Sequence, residues 1–337
     1  MADELVELAG RPEAASGEWD LYAEGGPVAA LESRVAGLLG KPAAAFFPSG
    51  IMAQQVALRV WCDRRGTRRV ALPDLSHLLV HEENGPEVLQ GLDVVHLTTG
   101  ARVATASDVA ALPDDVAVVL IEVPLRDGGY LVPTWDELTS VSAACRERGF
   151  VLHLDGARLW ESQPWLGRPL ADIADLADSV YVSFYKGLGG LAGACLAGPD
   201  DVIDEARVWR RRMGGTLFTI FPFALAALRG LDDHLPRMGE FHGRARELAS
   251  GLRTAGARVE PDDVRSVAFR LYAEGTPDEL LDRSSALTDE TGVLLPTRWV
   301  ADADSSFTEI TISPATMVPG VDEVVALLAR LVTPQRP

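Results

Sequence analysis

Between residues 68 and 198, short apolar runs alternate with segments of helical spacing, and the runs carry no period-two polarity. RRVALPD (68–74), DVVHLTT (93–99), VAVVLIEVP (116–124), FVLHLD (150–155) and SVYVSFY (179–185) are separated by helical patterns near 77–92, 107–111, 134–148 and 169–175. A strand that is apolar on both faces must be covered on both, as happens in a mostly parallel sheet sandwiched by helices. The alternation therefore predicts an α/β fold and disfavours an antiparallel sandwich.

Helices are expected at 27–40 and 50–62 ahead of this block, and after it at 200–212 and from Pro222 onward. Beyond residue 235 the pattern changes. A helix over 237–255, a strand pair within 257–272, a helix over 277–290, strands at 293–300 and 307–313 and a last helix over 320–332 predict a smaller α+β domain. Residues 1–26, with turn signals at Arg11-Pro12 and Gly25-Gly26, read as an irregular arm. The expected organisation is an arm (1–26), a large α/β domain (27–235) and a small C-terminal α+β domain (236–337).

Charge and composition narrow the partners. A net charge of -18 repels nucleic-acid phosphate and anionic membrane. No apolar run approaches the roughly 20 residues of a membrane span, and the first residues are acidic where a signal peptide is basic and then apolar. Cys62, Cys145 and Cys195 are widely spaced, with no CxxC pair, so three reduced thiols and no metal site are expected. The reading is a cytoplasmic protein acting on a small molecule.

Only Lys41 and Lys186 are lysines; the other 29 basic positions of the Lys and Arg total are arginine. Where charge alone is needed Arg serves equally well, so a surviving Lys draws attention to its amine. Lys41 follows a helix that ends at Gly40, where a cation near a helix C-terminus explains it. Lys186 sits between an apolar strand and a glycine-rich loop, with no solvated charged face in view.

Asp155 and Lys186 each stand at the C-terminal end of a predicted strand, where open α/β sheets place their ligand crevice. An acid and a lone amine in that relation suit pyridoxal phosphate chemistry. The amine forms a Schiff base with the cofactor aldehyde, and the carboxylate keeps the pyridine nitrogen protonated so that the ring can accept electrons from the substrate α-carbon. Pro48-Ser49-Gly50, leading straight into a helix, supplies a candidate phosphate cradle, although an ordinary N-cap and turn has the same signature. His77 could face the cofactor ring and His81 could be a surface or supporting group. Arg158 could reach a substrate carboxylate or pair with Glu161 or Glu122. Two overlapping patterns fail on context. Gly187-Leu-Gly189-Gly-Leu-Ala192 is followed by a strand instead of the helix that dinucleotide binding requires, and Ser183-Phe-Tyr-Lys186 lacks the partner motifs of serine acylases.

DLYAEGGPVAALESRVAGLLGKPAAAFFPSG, SHLLVHEENG, LHLDGARLWES and SFYKGLGGLAGACLAGPDDVIDEARVWRRRMGG resemble, in order and spacing, the threonine aldolase and β-eliminating lyase family of pyridoxal-phosphate enzymes. The resemblance implies a fold type I, transferase-like large domain with a mostly parallel sheet. It makes Lys186 the Schiff-base lysine, Asp155 the pyridinium partner, His77 the ring-stacking histidine, and Ser49, Gly50 and the Ile51 N–H phosphate contacts. Arg158 becomes a substrate-carboxylate ligand and Arg211 a basic group near the phosphate. It further implies a homodimer or homotetramer with shared active sites, in which Tyr22 contributes to substrate binding. The implied activity is retro-aldol cleavage of a β-hydroxy-α-amino acid, with β-elimination or other α-carbon chemistry as the alternative and a non-catalytic cofactor-binding protein as a third reading.

Five departures from the family pattern stand out. Ile51 replaces a Thr, and Tyr185 replaces a Ser before the lysine, leaving Tyr185, Ser183 or Arg211 to compensate. Glu122-Val-Pro-Leu-Arg126 replaces a stretch ending in histidine, so His77 or His81 acts alone. Gly214-Gly215-Thr-Leu-Phe218 loses an arginine. Glu309 stands where a carboxylate-binding arginine is expected, with Arg298 as its candidate substitute.

Overall fold

The apolar runs become strands of one seven-stranded sheet in a computed structural model that describes residues 2–15 and 17–333. The strands are β1 (Ala43–Phe47), β2 (Arg69–Leu72), β3 (Asp93–His96), β4 (Val118–Glu122), β5 (Val151–Gly156), β6 (Ser179–Ser183) and β7 (Ala194–Gly198), in the spatial order β1-β7-β6-β5-β4-β2-β3. Six run in one direction; β7 alone is antiparallel to both its neighbours. Every residue of β4, β5, β6 and β7 is buried, as strands without polar alternation require.

The helices of this unit are α1 (Ala2–Ala9), α2 (Pro12–Ala15), α3 (Gly26–Leu39), α4 (Gly50–Arg65), α5 (His77–Val80), α6 (Gly85–Gln90), α7 (Ala106–Ala110), α8 (Trp135–Arg148), α9 (Leu159–Leu166), α10 (Leu170–Asp175), α11 (Asp200–Arg212) and α12 (Phe221–Asp233). Local chemistry sets their ends. Thr134 and Glu137 form a capping box on α8, and Gly149 closes it in the left-handed region at φ 66. Covering helices fill the core on the face of the sheet that α4 packs against: Val56, Val60 and Ala206 pack with Phe47, Tyr181 and Leu196. Leu58 and Leu78 pack with Val70, Val118 and Leu120.

The chain divides into two compact units, residues 1–236 and 237–337. The second unit holds α13 (Met238–Thr254), α14 (Pro277–Thr291) and α15 (Val321–Val332) with the strands β8 (Val259–Glu260), β9 (Ala268–Ala273), β10 (Val300–Asp302) and β11 (Ser305–Thr311). Its sheet has the order β10-β11-β9-β8 and is antiparallel throughout. Among the described residues no helix is long and apolar enough to cross a membrane.

Four sequence expectations need correction. The arm is not irregular: it carries α1 and α2, while Met1 and Ser16 lie outside the described residues. The helix expected over 77–92 is two short ones, because Glu83 and Asn84 adopt positive φ and break the ladder. Most of 293–300 is irregular around Pro296, which has no N–H for a ladder, and only Val300 enters a strand. Helix α9 escaped the reading, its pattern masked by Pro164.

Candidate active site

Strands β1, β2, β4, β5 and β6 run the same way, and the chain leaving their C-terminal ends carries Ser49-Gly50, His77, Glu122, Asp155 and Lys186. The sheet thus gathers at one edge groups separated by up to 137 positions.

Asp155 is 4% exposed. Its Oδ1 accepts the Ala157 N–H at 2.9 Å, and its Oδ2 accepts from the Gln54 side-chain amide. Burial pushes the carboxyl upward, and Lys186 and the two donors pull it back. The Lys186 amine makes no hydrogen bond or ion pair to any described residue; burial and then the Arg158 guanidinium lower its pKa from the usual lysine value. An unpartnered, depressed amine beside a buried acid is a nucleophile held ready.

Helix α5 presents His77, whose backbone N–H donates to Glu122 Oε1 at 2.6 Å. Burial and the charge of Lys186 bring the His77 pKa down to about 4, so the ring is neutral at pH 7. Its Nε2 lies 3.0 Å from Glu82 Oε1. Glu122 itself is buried opposite Asp155 in the ladder, and burial together with that neighbour pushes it up to about 8. The His81 ring lies 4.8 Å from that of His77, with its Nε2 3.0 Å from both Asp127 carboxylate oxygens. Arg126 approaches the same nitrogen at 3.4 Å.

Arg158 pairs with Glu161 at 2.7 Å, and Glu161 is fully buried. The other Glu161 oxygen accepts the Gly187 N–H at 2.7 Å. A side chain at Gly187 would meet Glu161 Oε1 at 2.5 Å, so the residue after the lysine must be glycine for this carboxylate to fit. One buried acid therefore braces both the arginine and the lysine loop.

Beyond the end of β1, Ser49 caps α4, its Oγ accepting the Met52 N–H at 3.1 Å, which leaves the hydroxyl proton to donate. The first N–H groups of this 16-residue helix, including those of Gly50 and Ile51, have no intrahelical acceptor. Any Cβ at Gly50 would collide with the Tyr181 hydroxyl. Burial, and then the charge of Asp155, push that phenol well above its usual pKa. Ser183 donates its proton to the Ala157 carbonyl at 2.6 Å, acting as a strut between strand and loop.

Three expected ligands are exposed in the single chain. The Arg211 side chain is 69% exposed and lies 3.9 Å from Glu24. The preceding residue, Arg210, is buried and donates to the Phe46 carbonyl. Tyr22 is 53% exposed and stands edge-on to Phe218 at 5.5 Å. Arg298 is exposed in the second unit, where it and Glu309 line an open, mostly apolar cavity of about 520 Å³ with Leu294, Ile310 and Leu327. Residues that sequence reasoning missed are Gln54, His153, Asp127 and Tyr181. His153 had a legible signal, since a strand residue two before Asp155 shares its face.

An open helix N-terminus, an acceptor-only buried carboxylate and an unpartnered amine match the phosphate, pyridine N–H and aldehyde of pyridoxal phosphate. Fold and site define a pyridoxal-phosphate-dependent enzyme of fold type I. Residues 9–273 match the family model described as Beta-eliminating lyase, and the chain belongs to that family. It is 30% identical over 277 residues to low-specificity L-threonine aldolase 1 of Arabidopsis thaliana, covering 79% of this chain and 77% of the relative. Low specificity L-threonine aldolase of Escherichia coli K12 is 31% identical over 261 residues, covering 76% and 78% respectively. A solved structure from Listeria monocytogenes, provisionally described as an L-allo-threonine aldolase, superposes with a TM-score of 0.92 at 38% identity, covering 98% of this chain and 92% of that one.

Proposed function

We propose that the protein cleaves a β-hydroxy-α-amino acid, of the L-threonine or L-allo-threonine kind, to glycine and an aldehyde. The observation that carries this reading is the unpartnered Lys186 amine beside buried Asp155 and neutral His77 at one sheet edge. Family membership and the aldolase relatives support it.

Bound pyridoxal phosphate supplies an electron sink for the pair released when the substrate Cα–Cβ bond breaks. Lys186 would hold it through its amine, and Asp155 would accept from its pyridine N–H. Ser49 and the opening N–H groups of α4 would hold its phosphate. Arg158, braced by Glu161, would receive the substrate carboxylate in a fixed orientation. His77 would cover the ring. Because its Nε2–H donates to Glu82, its Nδ1 carries the lone pair that takes the β-hydroxyl proton.

A second reading, β-elimination on a different amino acid, is supported by the family model that the chain matches. Product analysis separates the two: aldehyde with glycine supports cleavage, whereas ammonia with a keto acid overturns it in favour of elimination.

Exposed Trp19 (60%), Leu21 and Phe218 (63%), with Tyr22 against Phe218, form an apolar surface that suits burial by a second copy. A homodimer or homotetramer with shared sites is the proposed assembly. Three buried free thiols suit a reducing compartment, and the cytoplasm is the proposed location.

A further inference from the structure

Behind Asp155 lies a line of buried polar side chains that the mechanism does not use. Trp61 Nε1 donates to Ser179 Oγ at 2.9 Å, Ser179 Oγ lies 2.8 Å from His153 Nδ1, and His153 Nε2 lies 2.9 Å from Gln54 Oε1. The Gln54 amide nitrogen then donates to Asp155 Oδ2. Ser179 and His153 are 0% exposed and Gln54 is 2% exposed, so no bulk solvent offers alternative partners.

The direction of the protons follows from the Gln54 amide. Its nitrogen donates to Asp155 and its oxygen, which can only accept, faces His153 Nε2, so Nε2 carries the proton. The bare Nδ1 of the neutral ring accepts from Ser179, which in turn accepts from Trp61. His153 is then protonated on Nε2 alone, the neutral tautomer, in keeping with burial that pushes its pKa down to about 3. The other Asp155 oxygen is held by the Ala157 N–H. Neither donor reaching Asp155 can reverse, so each oxygen is committed to accepting.

We propose that Trp61, Ser179, His153 and Gln54 are positioning residues, a one-way hydrogen-bond chain that holds Asp155 ionised and aimed, and thereby keeps the pyridine nitrogen of the cofactor protonated. Burial alone favours the neutral acid; donors committed to the anion offset that cost. The architecture makes the chain possible. His153 and Ser179 are ladder partners on β5 and β6, and Gln54 comes from the opening turns of α4, so one chain links the phosphate-facing helix to the pyridine-facing acid. This proposal rests on the pyridoxal-phosphate reading.

The test uses holoenzyme reconstituted with pyridoxal phosphate labelled with ¹⁵N in the ring, comparing wild type with Gln54→Met, which keeps the side-chain length but loses the donor, and with the milder Ser179→Ala. Readouts are the ¹⁵N shift of the pyridine nitrogen and the cofactor dissociation constant. The expected result is a protonated-pyridine resonance in wild type that moves towards the unprotonated value in Gln54→Met, with affinity about tenfold weaker (about 1.4 kcal/mol), and a smaller change of the same sign in Ser179→Ala. Unchanged resonance and affinity in both folded variants would overturn the chain while leaving the cofactor reading intact. A wild-type protein that takes up no pyridoxal phosphate would overturn both.

Discussion

The two lysines occupy comparable positions, each just past the end of a regular element and each with its pKa lowered by burial, yet their surroundings differ. The Lys41 amine donates to the Ala177 carbonyl at 2.6 Å, with Asp175 and Asp178 nearby. It therefore serves the chain just past α10 rather than the end of its own helix, which Gly40 closes in the left-handed region at φ 59. The Lys186 amine has no such acceptor, and the first charge acting on it is the repelling guanidinium of Arg158. A buried amine with a carbonyl acceptor is structural. One left without an acceptor beside a like charge carries a cost that only a ligand or a reaction explains.

Replacing both lysines by arginine sharpens this contrast most. Lys186→Arg keeps the charge but removes the nucleophilic amine; aldehyde release should fall roughly a thousandfold or more, about 4 kcal/mol in barrier, and the visible colour of the bound cofactor should vanish. Surviving activity would break the comparison.

Next in size is Glu161→Ala, which removes the carboxylate paired with Arg158 and the acceptor for Gly187. Breaking a buried pair in this way costs about 3 kcal/mol or more of stability, read by urea unfolding, and Glu161→Gln should be milder. An unchanged midpoint and KM would show that Arg158 does not depend on its brace.

In cofactor-free protein the depressed Lys186 pKa gives a pH signature. The unfolded chain binds that proton more tightly, so wild-type stability should rise with pH from the folded-state value up to the ordinary lysine value of 10.5. Lys186→Met should start more stable at neutral pH and lose its advantage across that window, which melting curves against pH would show. A constant gap would mean the amine is not destabilised in the native state.

The smallest effect belongs to Lys41. Loss of its hydrogen bond in Lys41→Ala should cost about 1 kcal/mol with turnover unchanged, and Lys41→Arg should recover most of it. A large drop in turnover from either would erase the distinction between the two lysines.

Much of the large unit was legible because its signals are local. Unalternating apolar runs mark the buried strands, and capping residues mark α4 and α8. Asp155 and Lys186 could be named because each stands at a strand end in an α/β alternation. Which arginine of the run 210–212 is buried was not legible. On α11 the Arg210 side chain turns inward and that of Arg211 outward, a rotation of about 100° that spacing alone leaves open. In the second unit 293–300 reads as a strand on its apolar content, but Pro296 and the absence of a ladder partner leave most of it irregular.

What the sequence determined by itself was the succession of elements and the identity of the acid and the amine, since helix and strand periods, caps and strand ends are written in neighbouring residues. Only the tertiary structure decided which groups touch. Gln54 reaches His153 across 99 positions and Asp155 across 101, and Glu161 meets Gly187 across 26. A hydrogen bond acts over about 3 Å, so its partners are chosen by sheet order, ladder register and helix rotation. Those are properties of the folded chain, and it is they that turn a buried carboxyl into an oriented anion and a surviving lysine into an unpartnered amine.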